Sequence, residues 1–237
     1  MNDSKFLKLG IVGFGFVGKA TDYGFDKDVE KFIVDPILDT NIDQLSAFDP
    51  QMVMVCVPTP MSNDGNQNSE IIESVIEELA KKCPESILVI KSTVLPNVLK
   101  KLSQISENLI YNPEFLREKH AKDDFKNSKT IIFGGDKNLS QKVAYYYTLH
   151  SNCISNDYVF LDLLSASLVK YSINTFLAQK VIFFNELYEI YEKLGVSDSW
   201  ESITKAIATD SRIGKSHMAV PGHDGRKGFG GACFPKD

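Results

Sequence analysis

"LKLGIVGFGFVG", residues 7–18, carries an apolar run straight into a glycine-rich turn. An apolar run ending in Ile11 and Val12 reads as a buried strand, and it passes directly into Gly13, Gly15 and Gly18 in the spacing G-x-G-x-x-G. Strand, glycines and a following helix make a dinucleotide-binding arrangement. The glycines permit a tight turn, let backbone approach a pyrophosphate, and set that group on the helix N-terminus. Phe16 and Val17 open the helix and belong to the same candidate cofactor site. Asp35 closes the next strand in "IVDP", 17 residues after Gly18, where a carboxylate can accept hydrogen bonds from an adenosine ribose. No arginine follows it directly, which points to NAD rather than NADP. Without a ligand the same pattern is a glycine-rich turn in an α/β domain.

Working outward, strand-like segments recur at "EKFIVDP", "PQMVMVCVPTP", "SILVIKSTV", "NLIYNPEF" and "KTIIFGG", with an amphipathic helix at "NSEIIESVIEELAKK". Apolar strands separated by helices indicate a parallel sheet covered on both faces. The fold class is therefore α/β: a Rossmann-like parallel sheet over residues 1–156, followed by an all-helical domain over 157–237. In that second part, Tyr158 to Leu194 contains no proline and no internal glycine. It reads as one long helix, or two nearly continuous ones, capped by Gly195. Phe176, Leu177, Val181, Ile182, Phe183 and Phe184 cover most of its circumference, so it is expected to bury several sides by forming a homodimer.

The chain has 237 residues, 43% hydrophobic and 24% charged, with a net charge of -5. That balance is ordinary for a soluble globular protein and gives no electrostatic reason to expect nucleic acid or an anionic membrane as partner. No apolar run approaches the ~20 residues that span a bilayer, and "MNDSKFLKLG" lacks a signal-peptide core, so a cytoplasmic location is expected. Cys56, Cys83, Cys153 and Cys233 are widely spaced, which favours reduced thiols over disulfides or a zinc site. His217 and His223, near Asp224 and Cys233, do not have metal-ligand spacing, and no metal is expected.

Thr59 in "VCVPTP" and Thr93 in "KSTV" follow predicted strands, at the end of a parallel sheet where ligands bind. They are candidates to face the cofactor, and equally to satisfy loop backbone groups. "YNPEFLRE" places Glu114 and Glu118 four apart, a spacing usual on a solvated helix face. Lys170 and Asn174 are also four apart, but among Leu168, Val169, Ile173 and Leu177 they would be partly buried and in need of partners. An ammonium and an amide converging on one point can stabilise an oxyanion. In "KGFGGACFPKD", residues 227–237, Cys233 lies in a glycine loop, a poor core environment. A thiol can attack an aldehyde to give a thiohemiacetal, and loss of hydride then gives a thioester that water hydrolyses. A cysteine beside an NAD site thus suits oxidation of an alcohol to a carboxylate.

Taken together, "GIVGFGFVG", "VPTP", "KSTV", "NPEFLRE", "LVKYSINTFLAQKVIFFNE", "SRIG" and "GFGGACFPKD" resemble the nucleotide-sugar dehydrogenases, the UDP-glucose/GDP-mannose dehydrogenase family, in that family's order along the whole chain. The resemblance implies oxidation of UDP-glucose to UDP-glucuronate with two NAD and no metal; another nucleotide sugar such as GDP-mannose is the alternative. By position it implies Cys233 as nucleophile, Lys170 and Asn174 as holders of the alkoxide and oxyanion, and Asp237 as an aid to water or proton transfer. Glu114 and Thr93 would flank the hydrolytic water, and Glu118 would contact NAD. Phe115, Leu116, Phe229 and Gly230 would line the substrate, and Arg212 would reach it from a neighbouring subunit.

Two features depart from the family. Ser167 stands where many relatives have glutamate, and "PGHDGRK" inserts residues before "GFGG". Relatives also continue into a nucleotide-binding domain, so a short form, a truncated piece, or half of a split enzyme completed by a separate chain is expected. A dinucleotide-binding dimerisation module that does not turn over is the non-enzymatic alternative. The β-hydroxyacid dehydrogenases share the glycine loop and the Lys-x-x-x-Asn helix, so only Cys233 separates the two classes.

Overall fold

The computed structural model describes residues 6–62, 65–222 and 225–230. It divides into two compact units, Met1–Lys170 and Tyr171–Asp237. The first is a three-layer α/β unit. Its strands are β1 (Leu7–Val12), β2 (Val29–Val34), β3 (Met52–Val55), β4 (Ile87–Ile90), β5 (Leu109–Tyr111), β6 (Ile131–Gly135) and β7 (Tyr158–Leu161), in the spatial order β2-β1-β3-β4-β5-β6-β7. Helices α1 (Phe16–Gly24), α2 (Ile42–Phe48), α3 (Glu70–Lys82), α4 (Pro96–Leu102), α5 (Ala121–Lys126) and α6 (Lys137–His150) cover the sheet.

Side chains alternate between sheet faces along each strand, and here both faces are apolar. Leu9, Ile11, Met52, Met54, Ile87 and Val89 join one core with Ala20, Phe125 and Tyr147. Val12, Val53, Val55, Leu88 and Ile90 join the other with Leu45, Ile76 and Leu99. α3 shows why such segments become helices: Ile72, Ile76 and Leu79 form its buried stripe, Glu70 and Glu73 lie in its first turn, and Lys81 and Lys82 lie in its last, matching the helix dipole.

Two expectations are corrected. Residues 158–161 are not the start of the long helix: "YVFL" is the edge strand β7, pairing in parallel with β6 from Ile131↔Tyr158 to Gly134↔Leu161. Helix α7 (Leu163–Leu194) begins after Asp162, whose Oδ1 accepts from the N–H groups of Leu164 and Ser165 at 2.9 Å each and ends the strand as an N-cap. The sheet is also not wholly parallel, because β5 and β6 pair antiparallel through Ile110↔Gly135 and Tyr111↔Gly134.

The register places Val12, Val34, Val55, Ile90 and Tyr111 side by side. The segments that follow them, beginning at Gly13, Asp35, Cys56, Lys91 and Asn112, therefore all leave one edge of the sheet. β1 lies between β2 and β3 and is the point at which strand order reverses, where open parallel sheets bind ligands.

The second unit holds the rest of α7, helix α8 (Trp200–Ile207) and a long loop. Phe184, Met218 and Val220 form its buried core, with Leu187, Tyr188, Trp200 and Ile207 packed against them. As expected, Gly195 ends α7 in the left-handed region, φ 61°. Among the described residues no helix is long and apolar enough to cross a membrane.

Candidate functional site

The glycine loop joins β1 to α1. Gly13 has φ 91°, and a Cβ there would lie 2.8 Å from the Cys56 carbonyl, so the turn admits no side chain. A Cβ on Gly18 would lie 2.1 Å from the Gly13 oxygen, so this residue lets α1 close onto the loop. Gly15 differs: it is the N-cap of α1, at φ -70°, and a Cβ there would meet nothing within 4 Å. Folding does not require glycine at that position, whereas a ligand pressed against the backbone would. Phe16 and Val17 form the first turn of α1, which carries no acidic residue, so its positive end is free for an anion. Asp35 turns back toward this loop: Oδ2 accepts from Phe14 N at 2.6 Å and Oδ1 from Ile37 N at 3.0 Å. These features fit a dinucleotide.

Thr59 and Thr93 meet through backbone. The Thr59 hydroxyl donates to the Thr93 carbonyl at 2.9 Å, and both residues are buried. Gln67, which has no sequence signal in its polar loop, clamps the same turn by donating to the Thr93 carbonyl at 3.1 Å and accepting from Leu95 N at 3.2 Å.

Glu114 lies in the loop after β5, buried, with Oε2 accepting from Leu116 N at 2.5 Å. Leu116 is buried beside it, and Phe115 is 37% exposed. Lys170 comes from the first turns of α7, is 2% exposed, and donates from Nζ to the Glu114 carbonyl at 2.5 Å, 4.8 Å from the centre of the Phe115 ring. The structure thus brings Glu114, Phe115 and Lys170 together. Glu118 is not with them: it is exposed, at the start of a 3-10 turn, Glu118–His120. Ser167, the residue that departs from the family pattern, is buried and donates to the Val94 carbonyl at 2.8 Å, tying α7 to the segment after Thr93.

Three buried residues that sequence reasoning missed lie behind this group. Lys91 Nζ donates to Asn112 Oδ1 at 2.9 Å and to the Tyr147 hydroxyl at 3.3 Å, and that hydroxyl donates to Asn112 Oδ1 at 2.6 Å. Asn112 Nδ2 donates to the Ile132 carbonyl at 2.8 Å. Burial holds the Lys91 ammonium below its ordinary pKa and pushes the Cys56 thiol up to about 12. Burial raises Cys83 and Cys153 as well, so none of the three described thiols is an activated nucleophile.

In the second unit Asn174 is buried on α7. Arg212 is exposed and paired with Asp210, from Nη2 at 2.6 Å and Nε at 3.0 Å. Gly228 N donates to Asn185 Oδ1 at 2.9 Å, which fastens the loop that continues into Phe229 and Gly230, both exposed. Cys233 and Asp237 lie outside the described residues, as do His223 and Asp224. Among the described residues no cluster of His, Cys, Asp or Glu could hold a metal.

Comparison with known proteins adds an independent line. Residues 38–152 match the NAD binding domain of the UDP-glucose/GDP-mannose dehydrogenase family, and residues 164–237 match that family's central domain. The first match begins beyond the glycine loop, which is identified by its own geometry. The chain is similar to the UDP-glucose 6-dehydrogenase of Rickettsia felis, 33% identical over 210 residues that cover 84% of this chain and 44% of that protein. It is also similar to the putative UDP-glucose 6-dehydrogenase YtcA of Bacillus subtilis, 31% identical, covering 98% of this chain and 61% of that one. It therefore spans 44% to 61% of the length of these relatives. A solved UDP-glucose dehydrogenase from the hyperthermophilic archaeon Pyrobaculum islandicum matches with a TM-score of 0.81 and 25% identity, over 100% of this chain and 63% of that chain. A solved GDP-mannose dehydrogenase from Pseudomonas aeruginosa, 23% identical, shares the fold with a TM-score of 0.71, over 96% of this chain and 62% of that one.

Proposed function

Because the chain belongs to the UDP-glucose/GDP-mannose dehydrogenase family, we propose that it oxidises UDP-glucose to UDP-glucuronate with NAD as acceptor. The observation that carries this reading is the buried Lys170 ammonium beside Glu114, in the same unit as an open glycine loop. Gly13, Gly15, Gly18 and the first turn of α1 would hold the pyrophosphate, and Asp35 the adenosine ribose. Two NAD, bound one after the other, would supply the acceptors for the two hydrides the sugar carbon loses, one hydride each.

The chain's own residues do the rest. Lys170, with Asn174, stabilises negative charge on the substrate oxygen as the hydroxyl gives up its proton. Cys233 adds to the aldehyde, and the resulting thiohemiacetal loses hydride to become a thioester. Glu114 and Asp237 assist the water that cleaves the thioester, returning the thiol and releasing the carboxylate. Arg212 and the loop through Phe229 and Gly230 serve the nucleotide-sugar. Following NADH at 340 nm with UDP-glucose tests the reading; NAD binding without reduction would favour the non-catalytic module.

We also propose a homodimer. On α7, Phe176, Phe183 and Ile190 recur every seven residues, Leu194 follows four later, and they are 68%, 57%, 52% and 69% exposed. Seven-residue spacing of apolar side chains suits pairing with another helix along its length, and a second copy presents the same row.

A further inference from the structure

Lys91 is a buried titratable group that the reaction above does not use. It is 4% exposed and, among the described residues, forms no ion pair. A buried ammonium without a bonded carboxylate is unfavourable for stability, and an apolar side chain of similar length would fill the site at lower free energy. Removing it would orphan no polar partner, because the Tyr147 hydroxyl already donates to Asn112 Oδ1 at 2.6 Å. Stability therefore does not account for this lysine.

Its surroundings suggest what does. Lys91 and Glu114 line the same small cavity, of about 30 Å³, with Asn112, Tyr147 and Cys153. Glu114 thus shares a cavity with one buried lysine, Lys91, and accepts through its backbone carbonyl from another, Lys170. Lys170 donates to the backbone carbonyl of Glu114 and not to its carboxylate, which instead accepts from Leu116 N. A Lys170 paired with that carboxylate would have its charge neutralised before any substrate arrived.

We propose that Lys91 is a positioning residue whose buried charge draws the Glu114 carboxylate away from Lys170 and so keeps the Lys170 ammonium free to meet a substrate oxygen. This rests on the assignment of Lys170 made above. The groups that act on Lys91 are Cys56 after β3, Glu114 after β5, Tyr147 on α6, Cys153 after α6 and Lys170 on α7. Because burial lowers the Lys91 pKa, its charge is lost at a lower pH than that of a solvated lysine. The wild type should therefore show an alkaline decline in rate that a variant without this charge lacks.

The test is Lys91→Met in the intact protein, with a crystal structure beside the kinetics of the first NAD reduction. The expected structure has Lys170 Nζ moved from the Glu114 carbonyl to its carboxylate, at about 2.8 Å. The expected kinetics are a kcat about 10- to 100-fold lower, as for a misplaced reacting group, with KM for NAD unchanged and the alkaline limb absent. Tyr147→Phe separates charge from packing: it removes the hydroxyl but leaves Lys91 in place, and is expected to keep Lys170 on the carbonyl. Should Lys91→Met fail to fold, Lys91→Gln keeps a donor for Asn112 without the charge and carries the same comparison. Lys170 still on the carbonyl in a folded, uncharged variant would overturn the proposal, as would an unchanged kcat and pH profile. If the wild type reduces no NAD with any UDP-sugar, the functional reading fails and the structure of the variant alone decides the role of Lys91.

Discussion

Gly15 and Gly18 lie three residues apart in one loop, yet alanine at the two positions should have different consequences. At Gly18 the added Cβ would lie 2.1 Å from the Gly13 oxygen, where at least about 3.0 Å is needed. The start of α1 must then recede from the loop by roughly 0.9 Å, and backbone faces backbone, so no side chain can yield. Overpacking of this kind costs about 1–3 kcal/mol. For a chain of this size that lowers Tm by about 2–4 °C per kcal/mol. At Gly15 nothing lies within 4 Å of the added Cβ and φ is -70°, so Gly15→Ala should leave stability within about 0.5 kcal/mol of wild type. Its methyl would project toward the space assigned to the pyrophosphate, and NAD should bind at least about tenfold more weakly, equivalent to ~1.4 kcal/mol. Thermal unfolding followed by circular dichroism, with calorimetric titration of NAD, measures both quantities. Gly15→Ala binding NAD as tightly as wild type would show that no ligand presses on this backbone, since nothing in the protein lies within 4 Å of a Cβ there.

Replacing both Phe176 and Phe183 with glutamate should convert a dimer to a monomer in light scattering without lowering Tm, because both side chains are more than half exposed; a wild type already monomeric at micromolar concentration would remove the basis for the dimer. Lys91→Met should be at least as stable as wild type below the folded pKa of Lys91. That pKa is depressed, so the unfolded chain holds the proton to higher pH and wild-type stability rises as pH climbs from the folded value toward 10.5. The advantage of the variant should shrink across that window, and a pH-independent difference in urea unfolding would contradict the assignment. Asp124 is held below the usual carboxylate range first by its hydrogen bond from Arg117. It therefore adds stability above its unfolded pKa that is lost as pH falls through the folded value, and Asp124→Asn should flatten the acid limb of the stability curve.

The parts of the fold that were legible in the sequence share a physical reason. β1 and the glycine loop could be read because a strand buried on both faces is apolar at nearly every position, Lys8 being the exception in β1, and because Gly13 and Gly18 stand where a Cβ would strike backbone. α3 could be read from its stripe and its charged ends. "YVFL" was misread because four apolar residues fit a helical pattern as well as a strand, and only pairing with β6 decides between them. The antiparallel step from β5 to β6 was invisible because strand direction is set by the path of the connection and not by side-chain pattern. In the candidate site, Lys170 could be read because a lysine amid apolar helix positions must find a partner, and Glu114 supplies it through its carbonyl. Lys91, Asn112 and Tyr147 could not, since they converge from the segments just after β4 and β5 and from α6, across 56 residues with no common spacing.

Incubating the intact protein with UDP-glucose and NAD, counting NADH by absorbance and identifying the sugar product by mass spectrometry, tests the central claim most directly. The wild type should form two NADH for each UDP-glucuronate, and Cys233→Ala should form neither NADH nor acid beyond a first oxidation. Full conversion to the acid by Cys233→Ala, or NAD bound by the wild type with no NADH formed from UDP-glucose, would contradict that claim.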